Sequence, residues 1–247
     1  MSLNKTKIEW TDYTWNPVTG CKHGCSYCYA RGIANRFEGS KAWPNGFKPT
    51  YHPDRLLDIH PGKAKHLLGK RVFVCSMADL FGDWVPERWV EDILAVIDNW
   101  SVVHDYRERP IFQFLTKNPK RYEEYTFPEN CWLGTTVESE AQAHRIDELL
   151  HAVNYQDNYA FVSFEPLLGK VTHSLHGLDW IIIGKQTGPG ADTYPDHEAV
   201  DHLFQKASIY GIPVFMKDNL RYDLPLRQFP SRQLGVSADE QTLLKLW

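Results

Sequence analysis

Apolar, β-branched and aromatic residues come in short runs that end in polar residues, and stretches with helical periodicity lie between them. The runs are Arg71 to Ser76, Pro110 to Thr116, Cys131 to Val137, Tyr159 to Phe164, Trp180 to Gly184 and Ile212 to Lys217. Between them, Glu87 to Trp100, Glu138 to Val153 and His197 to Tyr210 set apolar residues three or four apart with charges between, the pattern of an amphipathic helix. Near-continuous apolar strands joined by helical crossovers predict a parallel sheet, because a parallel connection must cross over and its helices cover the sheet. A first strand around Trp15 to Thr19 brings the count to about seven. That number suits a partial, open TIM-like α/β barrel of parallel strands with surrounding helices, and a doubly wound sheet is the alternative.

In either architecture chemistry gathers at the carboxyl ends of the strands. Here those ends are polar: Ser76 and Asp79, Thr116 and Lys117, Thr135, Thr136 and Glu138, Ser163 and Glu165, then Lys217, Asp218 and Asn219. The same residue types favour helix N-caps and turns, so the pattern marks a face of the fold before it assigns any single side chain to a ligand.

The 247 residues carry no repeat, low-complexity segment or linker, so one domain over 1–247 is expected. No long apolar run or signal-peptide core is present, which predicts a cytoplasmic protein without a membrane partner. A formal charge of -4 argues against a basic nucleic-acid coat. A local basic groove stays open, from Lys217, Arg221 and Tyr222 at one end and Arg31, Arg36 and Lys48 at the other. Of the five cysteines, three crowd into eight residues, which reads as a ligand set rather than a disulfide framework.

Those three are Cys21, Cys25 and Cys28, spaced Cys-x3-Cys-x2-Cys, with Tyr27 just before the third and Gly20 and Gly24 permitting tight turns. Three thiolates on one short loop can wrap one face of a cubane iron–sulfur cluster, since soft sulfur suits that chemistry. One iron then lacks a protein ligand and is open to the amino and carboxylate groups of a small molecule. The rival reading is a zinc ion completed by His23 or a remote residue, in a nucleic-acid or protein interaction module without turnover. Reaching the same ion from His23, which lies between two of the cysteines, would strain the loop.

The motif resembles the signature of the radical S-adenosylmethionine superfamily. The resemblance implies a [4Fe-4S] cluster on Cys21, Cys25 and Cys28, S-adenosylmethionine as the second cofactor, and an electron donor of the reductase or flavodoxin type. It further implies reductive cleavage of the sulfonium to a 5′-deoxyadenosyl radical. Longer blocks, from Ile8 to Cys21, Val74 to Phe81, Leu115 to Pro119, Trp132 to Glu138 and Ser163 to Gly169, look like those of a phage-associated family of uncharacterised proteins similar to spore photoproduct lyases. That points to a nucleic-acid base or nucleotide as substrate, with a peptide or small metabolite as the other radical-enzyme option. Where members often carry Gly-Gly-Glu-Ser-Gly, this chain has Gly184 to Gly188 as Gly-Lys-Gln-Thr-Gly, so no role is carried over from that Glu.

On this reading Lys117 is the partner of the cofactor's carboxylate, and Tyr27, Ser76, Asp79, Thr116, Thr135, Thr136, Glu138 and Ser163 supply the remaining cofactor contacts. Cys75 and Cys131 sit in apolar strands as core thiols. Cys75, at a strand end, is also a candidate hydrogen-atom donor, and Glu165, held extended before Pro166, is a candidate catalytic carboxylate. Leu243 to Trp247 close the chain without a second cysteine group, so one cluster is expected.

Overall fold

The computed structural model describes residues 3–105, 108–153, 156–188, 194–223 and 225–230; the closing Leu243–Trp247 segment lies outside them. Eight strands form one sheet, in the spatial order β1 (Leu3–Lys5), β2 (Tyr13–Trp15), β5 (Arg71–Val74), β6 (Ile111–Thr116), β7 (Cys131–Thr136), β8 (Tyr159–Phe164), β9 (Trp180–Ile183) and β10 (Val214–Met216). Only β1 runs antiparallel to its neighbour; every later pair is parallel. Two further strands, β3 (Val18–Thr19) and β4 (Thr50–Tyr51), make a separate antiparallel ribbon.

The spatial order follows the chain without a reversal, and a doubly wound sheet requires one, so that alternative is set aside. The sheet is open, with β1 and β10 as its edges. Helices α2 (Glu87–Val103), α3 (His144–Val153) and α4 (His197–Ile209) bury Ile93, Ile97, Leu149 and Leu203 in the same core as Val72, Phe112, Leu133, Val162 and Ile181. Those strand residues alternate with Phe73, Trp132, Phe161, Trp180 and Phe215, which form a second, aromatic cluster on the opposite sheet face. Trp10 joins it, its ring 4.8 Å from Phe73 and 6.3 Å from Phe161. Gly134 is required there because the Phe161 ring fills the space that a Cβ would take.

Two sequence expectations are corrected, and one strand was not expected at all. The expected first strand over Trp15 to Thr19 is two pieces, because Asn16 Oδ1 accepts from Met77 N (3.0 Å) and Ser76 Oγ (3.2 Å) and turns the chain between β2 and β3. The helix expected from Glu138 begins only at His144, after a short 3₁₀ turn at Glu140–Gln142, because Glu138 is held among Tyr27, Lys117 and Arg145. The antiparallel edge β1 carries no hydrophobic alternation, with Asn4 and Lys5 exposed, and so gave no signal in the chain. Among the described residues no helix is long and apolar enough to cross a membrane.

Candidate functional site

A cavity of about 510 Å³ opens at the carboxyl ends of the parallel strands. Its upper wall is the loop that follows β3. Gly20 starts this loop with φ 87°, donates its N–H to Met77 O (2.9 Å) and leaves no room for a Cβ beside the Lys48 carbonyl. Cys21 N donates to Phe47 O (3.2 Å), Gly24 takes a second positive φ of 75°, and Cys28 N reaches back to Cys25 O (3.4 Å). Cys28 then caps α1 (Tyr29–Arg36). The result is a wrapped loop whose Cys21, Cys25 and Cys28, all half-buried and free of disulfides, line one cavity.

Burial pushes the Cys21 thiol up to about 11, the His23 backbone N–H works the other way, and Asp79, Cys25 and Cys28 nearby add to the rise. Among the described residues no group of three or more His, Cys, Asp and Glu side chains gathers tightly enough for a single metal ion. A cubane cluster asks for something different, one thiolate on each of three irons, and Cys21, Cys25 and Cys28 come from one loop and line one cavity. His23 is not turned to the sulfurs: its Nε2 bonds Asp79 Oδ2 at 2.6 Å, and its ring meets the edge of Trp84 at 4.8 Å.

Asp79 is buried and accepts from His23, Phe81 N (3.1 Å), Thr116 Oγ1 (2.7 Å) and Lys117 N (2.9 Å). Burial acts to raise its pKa, and the hydrogen bonds from His23, Lys117 and Thr116 overcome this and hold it below the ordinary carboxylate value. Asp79 and Thr116 both line the cavity, with the four donors on Asp79 tying this part of its wall to two strand ends.

Lys117 projects inward, donates to Tyr27 Oη at 2.7 Å and pairs with Glu138. Burial lowers its pKa to about 8, against the pull of Cys25 and with help from Arg145. Glu138 lies just behind the wall and takes two more partners, Tyr27 Oη and Arg145 Nη1 (3.0 Å). Ser76, Thr136 and Ser163 also line the cavity. Thr135 does not: strand alternation turns it to the helix-covered face, where it donates to Thr116 O at 2.9 Å. Glu165, joined to Pro166 by a cis bond, faces the cavity and pairs with Lys217.

Cys75 and Cys131 are both buried in the helix-side core. Cys75 takes φ 59° and leaves the alternation of β5, and burial pushes its thiol up to about 12. It lies outside the cavity lining, as does Cys131. Sequence reasoning missed Arg145, which an amphipathic helix pattern hides among other exposed charges. It also missed Ile8, which closes the aromatic end of the cavity together with Trp10, a ring the sequence places near the cysteine loop as a core residue first and a stacking surface second.

Fold and site together define an α/β protein with a mostly parallel sheet whose carboxyl edge carries a three-cysteine loop over an open cavity. The family described as protein of unknown function (DUF5131) matches residues 5–242, and the chain belongs to it. No curated protein matches the chain.

Proposed function

We propose that the protein is an iron–sulfur radical enzyme that reductively cleaves S-adenosylmethionine and acts on a nucleic-acid base or nucleotide. The observation that carries this is the placement of Cys21, Cys25 and Cys28 on one wall of a cavity at the carboxyl ends of parallel strands. The chain-order strand sequence, with the long helices on one face, supports a sheet curled into an open barrel around that cavity. When bound, a reduced [4Fe-4S] cluster would supply one electron to the sulfonium and release a 5′-deoxyadenosyl radical.

The chain's own residues would bind and orient. Lys117, which lines the cavity, offers a cation to a carboxylate, and Glu138 and Arg145 behind the wall fix it in place. Tyr27 ties that trio to the cysteine loop. Ser76, Thr136 and Ser163 present hydroxyls to a ribose, and Trp10 and Phe73 give the far end a water-excluding aromatic surface for a flat ring. Beyond the rim, Lys185 Nζ lies 3.5 Å and Arg221 5.5 Å from the Tyr194 ring centre, cations suited to a phosphate. An electron donor of the reductase or flavodoxin type completes the reading.

The test is the iron, sulfide and zinc content of anaerobically purified protein, with 5′-deoxyadenosine release on adding dithionite and S-adenosylmethionine. Four irons per chain with product release, both lost in Cys28→Ala, are expected. Stoichiometric zinc without iron after anaerobic reconstitution would replace this reading with the zinc-binding interaction module.

A further inference from the structure

We propose that His23 is a positioning residue: its ring, anchored on buried Asp79, holds the His23 backbone N–H on the Cys21 sulfur and so sets the electron density of that cluster ligand. The inference rests on the iron–sulfur reading above and adds to it a residue with no place in the Cys-x3-Cys-x2-Cys spacing.

The connection runs unbroken from the sheet to the sulfur. Asp79 follows β5 and is gripped from two strand ends, by Phe81 N on its own segment and by Thr116 Oγ1 and Lys117 N at the end of β6. A carboxylate so held presents Oδ2 in one direction, and His23 Nε2 meets it at 2.6 Å. Trp84 closes the other side of the imidazole edge to face, at an interplanar angle of 79°. Trp84 is itself packed over Gly82, where its ring takes the space of a Cβ. With the ring fixed, the backbone of residue 23 is fixed, and its N–H points at Cys21 Sγ with N···S 3.5 Å. The loop's start is tied separately, through Gly20 N to Met77 O. His23 is thus the anchor of the turn between the first two cysteines.

Hydrogen bonds to ligand sulfur are among the factors that set iron–sulfur reduction potentials. An N–H aimed at a thiolate withdraws electron density and makes the reduced state easier to reach. Releasing residue 23 from Asp79 frees the turn, weakens that bond and exposes the sulfur.

The experiment is a redox titration followed by electron paramagnetic resonance on the anaerobically reconstituted full chain, for wild type, His23→Ala and His23→Gln. Iron loss to a chelator and thermal melting of the metal-free proteins are measured alongside. Equal initial iron and sulfide, a metal-free melt that stays cooperative at a lower temperature, a more negative midpoint and faster iron loss in His23→Ala are expected. His23→Gln, whose amide can still donate to Asp79, moves back toward wild type in both. A His23→Ala protein with the wild-type midpoint and chelation rate sinks the positioning role while the cluster reading stands. A wild-type chain that takes up no iron and sulfide sinks both. Zinc held by wild type and lost in His23→Ala would make His23 a ligand and overturn the proposal.

Discussion

One strand face carries two chemistries. On β8, Tyr159, Phe161, Ser163 and the following Glu165 share a side of the sheet, yet the first two belong to the aromatic cluster and the last two line the cavity. The same change runs along the neighbouring strands, from Trp132 to Thr136 on β7 and from Ile111 and Leu115 to Lys117 after β6. Backbone geometry and alternation are shared by the two halves, so neither strand propensity nor register separates them. What separates them is whether the side chains can fill space. Large rings at the amino ends pack against one another, with Phe161 and Trp180 5.6 Å apart and Trp132 and Trp180 5.7 Å apart. Short or paired polar side chains at the carboxyl ends leave a volume open beneath the cysteine loop.

The sharpest way to break that division is to empty the packed half. Phe161 is fully buried, and Phe161→Ala is expected to cost about 3–5 kcal/mol of stability, read from urea unfolding. Iron and sulfide per folded molecule should stay at the wild-type level, since Phe161 does not line the cavity. A loss under about 1 kcal/mol would mean that the aromatic half is not packed as a core.

A second test separates the roof of the cavity from its floor by pH. His52 is buried beside the cysteine loop's approach, with Nε2 2.9 Å from Thr19 Oγ1. Burial lowers its pKa to about 4, Arg55 adds to the fall and Asp54 opposes it. Below its ordinary value of 6.5 the unfolded chain therefore binds a proton that the native chain does not. The His52 contribution is fully present above that pH and is lost as pH falls from there to about 4. At roughly 1.4 kcal/mol per unit it amounts to at most about 3 kcal/mol. Unfolding free energies from pH 7.5 to 4 should show this slope in wild type and a shallower one in His52→Gln; identical slopes would remove His52 from the account.

How much of this was legible in the chain follows from the same contrast. All six runs proposed as parallel strands are strands, because apolar runs of that length report burial directly. Strand ends such as Ser76, Lys117, Thr136, Ser163 and Glu165 reach the cavity as their positions suggested. Thr135 was excludable by alternation alone, once Thr136 was placed. The anchoring of Asp79 was not foreseeable, since nothing local says that four donors from separate segments will converge on it. Arg145 was equally hidden, among helix charges, while Trp10 stood out as a ring near the cysteine loop whose choice between core and cavity only the fold decides. The sequence pattern reported local periodicity well and long-range pairing poorly, and the pairings are what turn a polar face into this site.

The smallest change makes the finest test, because it lies two residues from the largest. Ser163 is 1% exposed and lines the cavity, and its hydroxyl has no hydrogen-bond partner among the described residues. Removing that oxygen opens no packing defect of the kind left by Phe161, so Ser163→Ala should shift stability by no more than about 0.5 kcal/mol. If the hydroxyl serves a bound ribose, its loss forfeits one hydrogen bond of about 0.5–1.5 kcal/mol, a roughly two- to thirteenfold weaker affinity for S-adenosylmethionine by calorimetry on the reconstituted protein. Two neighbours on one strand face would then divide cleanly, Phe161 carrying stability without binding and Ser163 binding without stability. A Ser163→Ala protein that binds as wild type but unfolds several kcal/mol more easily would put Ser163 with the packed half, and the boundary between floor and site would have to move up the strand toward Glu165.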